Sequence, residues 1–324
     1  MTTVRQLAPV GQDAALDALR RMWRGGSGPR TLLFMGPDEV GRRLGASWLC
    51  ALVNCQAADV AARPCFECES CRLLLAGAHP DLKEVAPALA TESGRLKRDP
   101  EIRIDQLVTR ERGDSEPLGP WLRTRPRYRA RVGVIDQAHT MNLPAANSFL
   151  KVLEEPPPWA IIVLIAPGPD ALLPTVASRS VTVRFGAVDV EALQGRGGLP
   201  QLTPVLAGHP AVRLGQPGAL VRANAEADAT AAAKAAAEDL LDAVNGNLLD
   251  ALLGAEAFAK AVTADSAAQP GPLGWLRELL RQRGLVGYAA ALDAVDACEQ
   301  ALAAYAQAPL ACAVLALELR GGES

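Results

Sequence analysis

"RTLLFMGPDEVGRR", residues 30–43, decides the fold of the first half of this chain. Its apolar run lacks polar alternation, as a strand covered on both faces does. Gly36 and Gly41 then have the G-x-x-x-x-G spacing of a phosphate-binding loop that opens a helix. Glycines there let backbone N–H groups approach an anion, and the helix N-terminus favours negative charge. Such a loop normally continues with Lys for the phosphates and Ser or Thr for Mg²⁺. Here those places hold Arg42 and Arg43. Arg42 keeps the charge, but its planar fork differs from a compact ammonium, and Arg43 offers Mg²⁺ no oxygen. An isolated G-x-x-x-x-G serves equally well as a tight strand-to-helix turn, so the rest of the chain must decide.

Three further β-rich runs follow: "VGVID" (132–136), "IIVLIA" (161–166) and "VTVRF" (181–185), with "DLKEVAP" (81–87) as a weaker fifth. Interleaved with segments of helical period, they predict an α/β unit with a mainly parallel sheet that ends near Phe185. "VGVIDQAH" ends its strand in Asp136, where a carboxylate would hold a metal. The next residue is Gln137, and an amide cannot take a proton as the expected Glu would. Asp136 alone is equally explained as a cap on the strand end. Two defects in matching places predict a degenerate nucleotide site (Gly36, Gly41, Arg42, Asp136) that is empty or does not hydrolyse ATP.

The chain has 324 residues, 49% hydrophobic and 21% charged, enough for two or three domains with ordinary cores. No apolar run approaches the roughly 18 residues of a membrane span, and the N-terminus lacks the zones of a signal peptide. A cytoplasmic protein with no membrane partner is the expectation. The net charge of −3 hides an asymmetry: residues 225–324 carry 14 acidic and 6 basic side chains, whereas the first 224 carry 22 acidic and 27 basic. Strand signals stop after Phe185. Residues 187–224 read as a small helical unit, and the Ala-rich chain from 225 as a bundle of amphipathic helices, with "ADSAAQPGPLG" (264–274) its clearest loop. The predicted domains are therefore 1–186, 187–224 and 225–324.

Five of seven cysteines fall between Cys50 and Cys71. Cys55, Cys65, Cys68 and Cys71 form C-x9-C-x2-C-x2-C, which brings together four thiolates, the closed shell of a structural Zn²⁺. Cys50 is an alternative first ligand, but its surroundings, "ASWLCALV", suit a buried thiol. His79 in "AGAHPDL" is near enough to weigh as a ligand, and a structural role suits it better. The stretch "RTRPRYRAR" (123–131) holds five Arg and no acid. It reads either as a nucleic-acid contact or as a solvated basic loop.

Taken in order, these segments resemble the bacterial clamp-loader family of AAA+ proteins, in its delta-prime type. "PVGQDAALDAL" is similar to that family's opening helix and "PCFECESCRLLLAGAHPDL" to its zinc module. "NSFLKVLEEPPP" is its most specific segment, and "LLPTVASRS" is similar to its Ser-Arg-Cys segment, with Ser180 in place of Cys. The resemblance implies an AAA+ domain, a helical lid and a C-terminal helical collar. It implies no ATP hydrolysis by the chain alone, and a stator's place in the DNA polymerase III holoenzyme. The implied partners are gamma/tau motor subunits, the delta subunit, and, through the complex, the sliding clamp and primed DNA. Arg179 would then be an arginine finger acting in trans on a neighbouring motor's ATP. An active gamma/tau-type motor is the alternative, and it would carry Lys-Ser or Lys-Thr after Gly41 and Glu after Asp136.

Overall fold

The computed structural model describes residues 8–87, 100–109, 116–194, 199–264, 268–284 and 288–321. They divide into two compact units, one running to Val188 and the other starting at Asp189.

The first unit is built on five parallel strands: β1 (Thr31–Met35), β2 (Leu82–Val85), β3 (Arg131–Ile135), β4 (Ala160–Ala166) and β5 (Val181–Arg184), in the order β2-β3-β4-β1-β5. Each strand predicted from sequence is present within a few residues of its expected bounds, including the weak one. The sheet is covered on both faces, which explains the unalternating apolar runs. Leu32, Phe34, Val132, Val134 and Val163 face a core shared with helices α1 (Asp13–Trp23) and α2 (Arg42–Asn54). Leu33, Ile135, Ile162 and Leu164 face the opposite core. That core is shared with α4 (Ile104–Leu107), α5 (Leu118–Arg123), α6 (Leu143–Glu154) and α7 (Pro174–Ala177). Between α2 and β2 lies α3 (Glu69–Leu75).

The second unit is entirely helical among the described residues. Three short helices that begin with proline, α8 (Pro204–Ala207), α9 (Pro210–Leu214) and α10 (Pro217–Ala225), precede five longer ones. Proline at the first helical position loses no hydrogen bond, so each Pro starts a helix rather than breaking one. The longer helices are α11 (Ala227–Val244), α12 (Leu248–Thr263), α13 (Pro272–Arg283), α14 (Tyr288–Ala303) and α15 (Ala308–Gly321). They share one core around Trp275, Phe258, Leu240 and Leu315. The predicted loop at 264–274 joins α12 to α13 but reaches too far, since Pro272, Leu273 and Gly274 already open α13; its residues 265–267 lie outside the described residues. No helix among the described residues is long and apolar enough to cross a membrane.

Candidate functional site

The loop after β1 sits at the C-terminal edge of the sheet, where α/β folds place ligands. Gly36 has φ of +143°, and a Cβ on it would lie 1.9 Å from the Phe185 carbonyl oxygen. Its N–H donates to Pro167 O at 3.2 Å. Gly41 caps α2 at φ of +97°, in the left-handed region. A Cβ on it would meet the Pro9 ring at 2.6 Å. The glycine spacing is therefore required by close approach of this chain's own backbone and of Pro9. The Gln12 amide fastens the same region: it donates to Val40 O (3.2 Å) and Gly186 O (2.7 Å) and accepts from Gly186 N (3.2 Å).

Arg42, at the position of the usual lysine, is only 8% exposed. Its Nη1 donates to Ala166 O at 2.7 Å, and its Nη2 pairs with the Asp38 carboxylate. The guanidinium thus ties the loop to the end of β4. Arg43 pairs with Glu84 on β2. Burial pushes the Glu84 carboxyl above its ordinary range, and the Asp136 charge adds to this against the pull of Arg43. Asp136 accepts the Gln137 N–H at 2.9 Å, and Gln137 itself is left-handed at φ of +50°. Gly36, Gly41, Arg42 and Asp136 are thus gathered at one edge, with the Arg42 and Asp136 side chains engaged inside the chain.

Arg179 follows α7. Its guanidinium donates to Thr175 O and pairs with Glu154, each at 2.7 Å. The Arg179 side chain is 36% exposed and that of Glu154 48%, and exposed pairs of this kind hold together weakly. Rotation to an external anion would cost little.

The Sγ atoms of Cys55, Cys65, Cys68 and Cys71 lie within 4.8 Å of one another. Zinc–sulfur bonds of about 2.3 Å set tetrahedral edges near 3.8 Å, so a small contraction closes four thiolates on Zn²⁺. Backbone N–H groups already point at the sulfurs: Cys65 N at Cys55 Sγ (3.3 Å), Cys68 N at Cys65 Sγ (3.4 Å) and Gln56 N at Cys68 Sγ (3.5 Å). Burial would raise the Cys65 thiol, but N–H groups of Glu67 and Cys68 and the neighbouring thiols of Cys55 and Cys68 bring it down to about 7. Burial pushes Cys71 up. The donor set fits a metal, and four protein ligands leave no open position for catalysis.

Cys50 lies outside that cluster. Its Sγ accepts from Asn54 Nδ2 at 3.4 Å and sits 3.8 Å from His79 Nδ1, and burial pushes it up to about 12. His79 is buried and accepts the Asp81 N–H on Nδ1 (3.1 Å), leaving Nε2 to pair with Ser70 Oγ (3.0 Å). Burial holds it below its ordinary pKa, so it is a neutral spacer.

Two side chains whose partners lie far along the chain organise the basic stretch. Asp81, fully buried, accepts the N–H groups of Arg127 and Tyr128, each at 2.8 Å, and lies 3.5 Å from Arg131. Asn54, also fully buried, accepts from Arg129 N (3.0 Å) and Ala130 N (2.9 Å) and donates to Ala130 O (3.0 Å). The backbone of residues 127–130 is therefore fixed, while Arg123, Arg125, Arg127 and Arg129 remain exposed.

A parallel β2-β3-β4-β1-β5 sheet with a glycine loop after β1, followed by a helical unit, defines an AAA+-type α/β protein, here with a four-cysteine knuckle beside the sheet. The family profile described as "DNA polymerase III, delta subunit" matches residues 11–189. The chain belongs to that family, of delta-prime-type clamp-loader subunits. It is 36% identical over 149 residues to the DNA polymerase III subunit delta′ of Pseudomonas aeruginosa, covering 46% of this chain and 40% of that one. It is 30% identical over 185 residues to subunit tau of Escherichia coli, covering 57% of this chain and 26% of the relative. The match thus spans less than half of either curated relative. A DNA polymerase III gamma subunit-related protein from Thermotoga maritima shares the fold at a TM-score of 0.56 and 18% identity, over 96% of this chain and all of that one.

Proposed function

We propose that this chain is a non-hydrolysing stator of the DNA polymerase III clamp loader, cytoplasmic, organised as an AAA+ domain, a lid (187–224) and a collar (225–324). The observation that carries this reading is the engagement of Arg42. The guanidinium at the lysine position is buried against Ala166 and Asp38, so a nucleotide would have to displace contacts that hold the loop together. Arg43 and Gln137 in place of a hydroxyl and a carboxylate support it further.

On this reading the chain contributes Arg179 to ATP held by a neighbouring gamma/tau motor, while the complex opens the clamp and loads it on primed DNA. The weakly held Arg179–Glu154 pair suits such a residue. A collar needs an apolar surface for its neighbours, and α12 and α15, which pack together, present one. Leu249, Leu253 and Leu310 are each more than half exposed there. The cysteine cluster would hold a structural Zn²⁺.

The test is reconstitution with motor, delta and clamp proteins. The isolated chain should show negligible ATP turnover. Arg179→Ala should leave assembly intact and slow hydrolysis at the adjoining site, where such a finger is worth roughly 10³–10⁵ in rate. DNA-stimulated ATPase by the chain alone would instead favour an active motor, and unchanged ATPase and loading with Arg179→Ala would remove the finger assignment.

A further inference from the structure

The end of the sheet opposite the glycine loop carries a cavity of about 780 Å³, within the range of roughly 300–1,000 Å³ that suits small ligands. Arg30 at its mouth precedes β1 and Gly36 follows it, so the strand separates the two places by about 17 Å. Two sequence features that the stator reading leaves unused converge here. The long Cys55–Cys65 spacing supplies one wall, through Asp59, Val60, Ala61 and Arg63, and the Arg-rich stretch supplies Arg129.

The floor is apolar: Trp23, Leu52, Val53 and Ile161, with Val60 41% exposed at the edge. Five arginines and one aspartate are the charged residues of the lining. Arg20 is paired with Asp17, and Arg63 donates twice to Ala57 O. The guanidiniums of Arg24, Arg30 and Arg129 make no hydrogen bond or ion pair among the described residues. Three uncommitted guanidiniums around an apolar floor call for a ligand that brings carboxylates or phosphates together with an apolar body.

The floor favours one class. Trp23 is only 8% exposed, and the Trp159 N–H is already given to Leu122 O. The largely buried Trp23 ring offers little face for stacking a base, and the Trp159 donor is committed, so the apolar floor suits an aliphatic or aromatic side chain better than a stacked base. We propose that this cavity is a docking site for an acidic peptide segment of a partner protein, with an apolar side chain on the floor and flanking carboxylates on Arg24, Arg30 and Arg129. The proposal is independent of the stator reading.

The test is fluorescence anisotropy on the full chain, with labelled peptides of about eight residues in which one Leu, Ile, Phe or Trp is flanked by Asp and Glu. The controls are the same peptides with Lys for the acids, and oligothymidylate. The expected result is saturable binding of acidic peptides, weakened by salt and by at least about tenfold in both Arg24→Glu/Arg129→Glu and Val60→Asp. All three substituted positions are exposed, and unchanged thermal unfolding would show the variants folded. Absence of saturable binding, equal affinity for the Lys peptides, or unchanged affinity in the folded variants would overturn the proposal. So would oligothymidylate binding that these variants abolish while acidic peptides fail to compete, since it would give the cavity to nucleic acid.

Discussion

Replacing Arg42 with Ala separates a structural arginine from a phosphate ligand. The side chain is 8% exposed and donates at 2.7 Å to the carbonyl of the fully buried Ala166. Losing a hydrogen bond from a charged group to a buried acceptor costs about 1.5–3 kcal/mol. The Asp38 partner is 74% exposed, so that pair contributes under about 1 kcal/mol. The buried stem adds roughly 1 kcal/mol, because Ala keeps part of its packing. The expected destabilisation of the first unit is therefore about 3 kcal/mol, or a fall in Tm of roughly 6–12 °C at this size. Four of the five tryptophans, Trp23, Trp48, Trp121 and Trp159, lie in that unit, so fluorescence during urea unfolding reports on it directly. Arg42→Lys should fall between the two, since a single ammonium replaces the fork. An unchanged unfolding midpoint in Arg42→Ala, together with loss of a fluorescent ATP analogue that the parent binds, would refute the reasoning and return Arg42 to a nucleotide.

Other consequences follow from the same geometry. Cys68→Ser should lower tightly bound zinc from about one equivalent to a small fraction after chelator challenge, measured by metal analysis of the purified chain. Asp81→Ala removes the acceptor of two backbone N–H groups and should cost about 3–5 kcal/mol; amide exchange should quicken at residues 127–131 before the rest of the sheet. Glu278 is buried, which would raise its pKa, but Arg281, Gln282 and Arg213 hold it below the ordinary 4.5. The unfolded chain then takes up a proton more readily than the folded one. The stability Glu278 contributes is thus present above pH 4.5 and lost as pH falls through the depressed folded value. Acid titration of helicity should accordingly show Glu278→Gln with a flatter loss than the parent.

The strands were readable because burial on both faces leaves a local record, an unbroken run of Leu, Ile and Val. The four cysteines were readable because three of them recur at every third residue from Cys65 to Cys71 and the fourth lies ten positions before. Asn54 and Asp81 were not, because each satisfies backbone N–H groups about 45 to 75 residues further along. One buried polar side chain looks like any other until the fold brings its donors to it. The basic stretch shows the intermediate case. Its charge was plain in the sequence, whereas the fixed backbone beneath that charge, and the cavity Arg129 faces, required the topology.

Gln12 hydrogen-bonds to the loop at Val40 and to Gly186, two residues before the first unit ends, across 174 positions of sequence. The last residues of the first unit are thereby tied to the loop by this amide, beside the close approach of Gly36 to the Phe185 carbonyl. The loop and that end of the unit therefore share a hydrogen-bonded partner that belongs to neither. Removing the Gln12 amide should loosen the hold of the loop on Gly186, with the packing of Gly36 against Phe185 as the tie that remains.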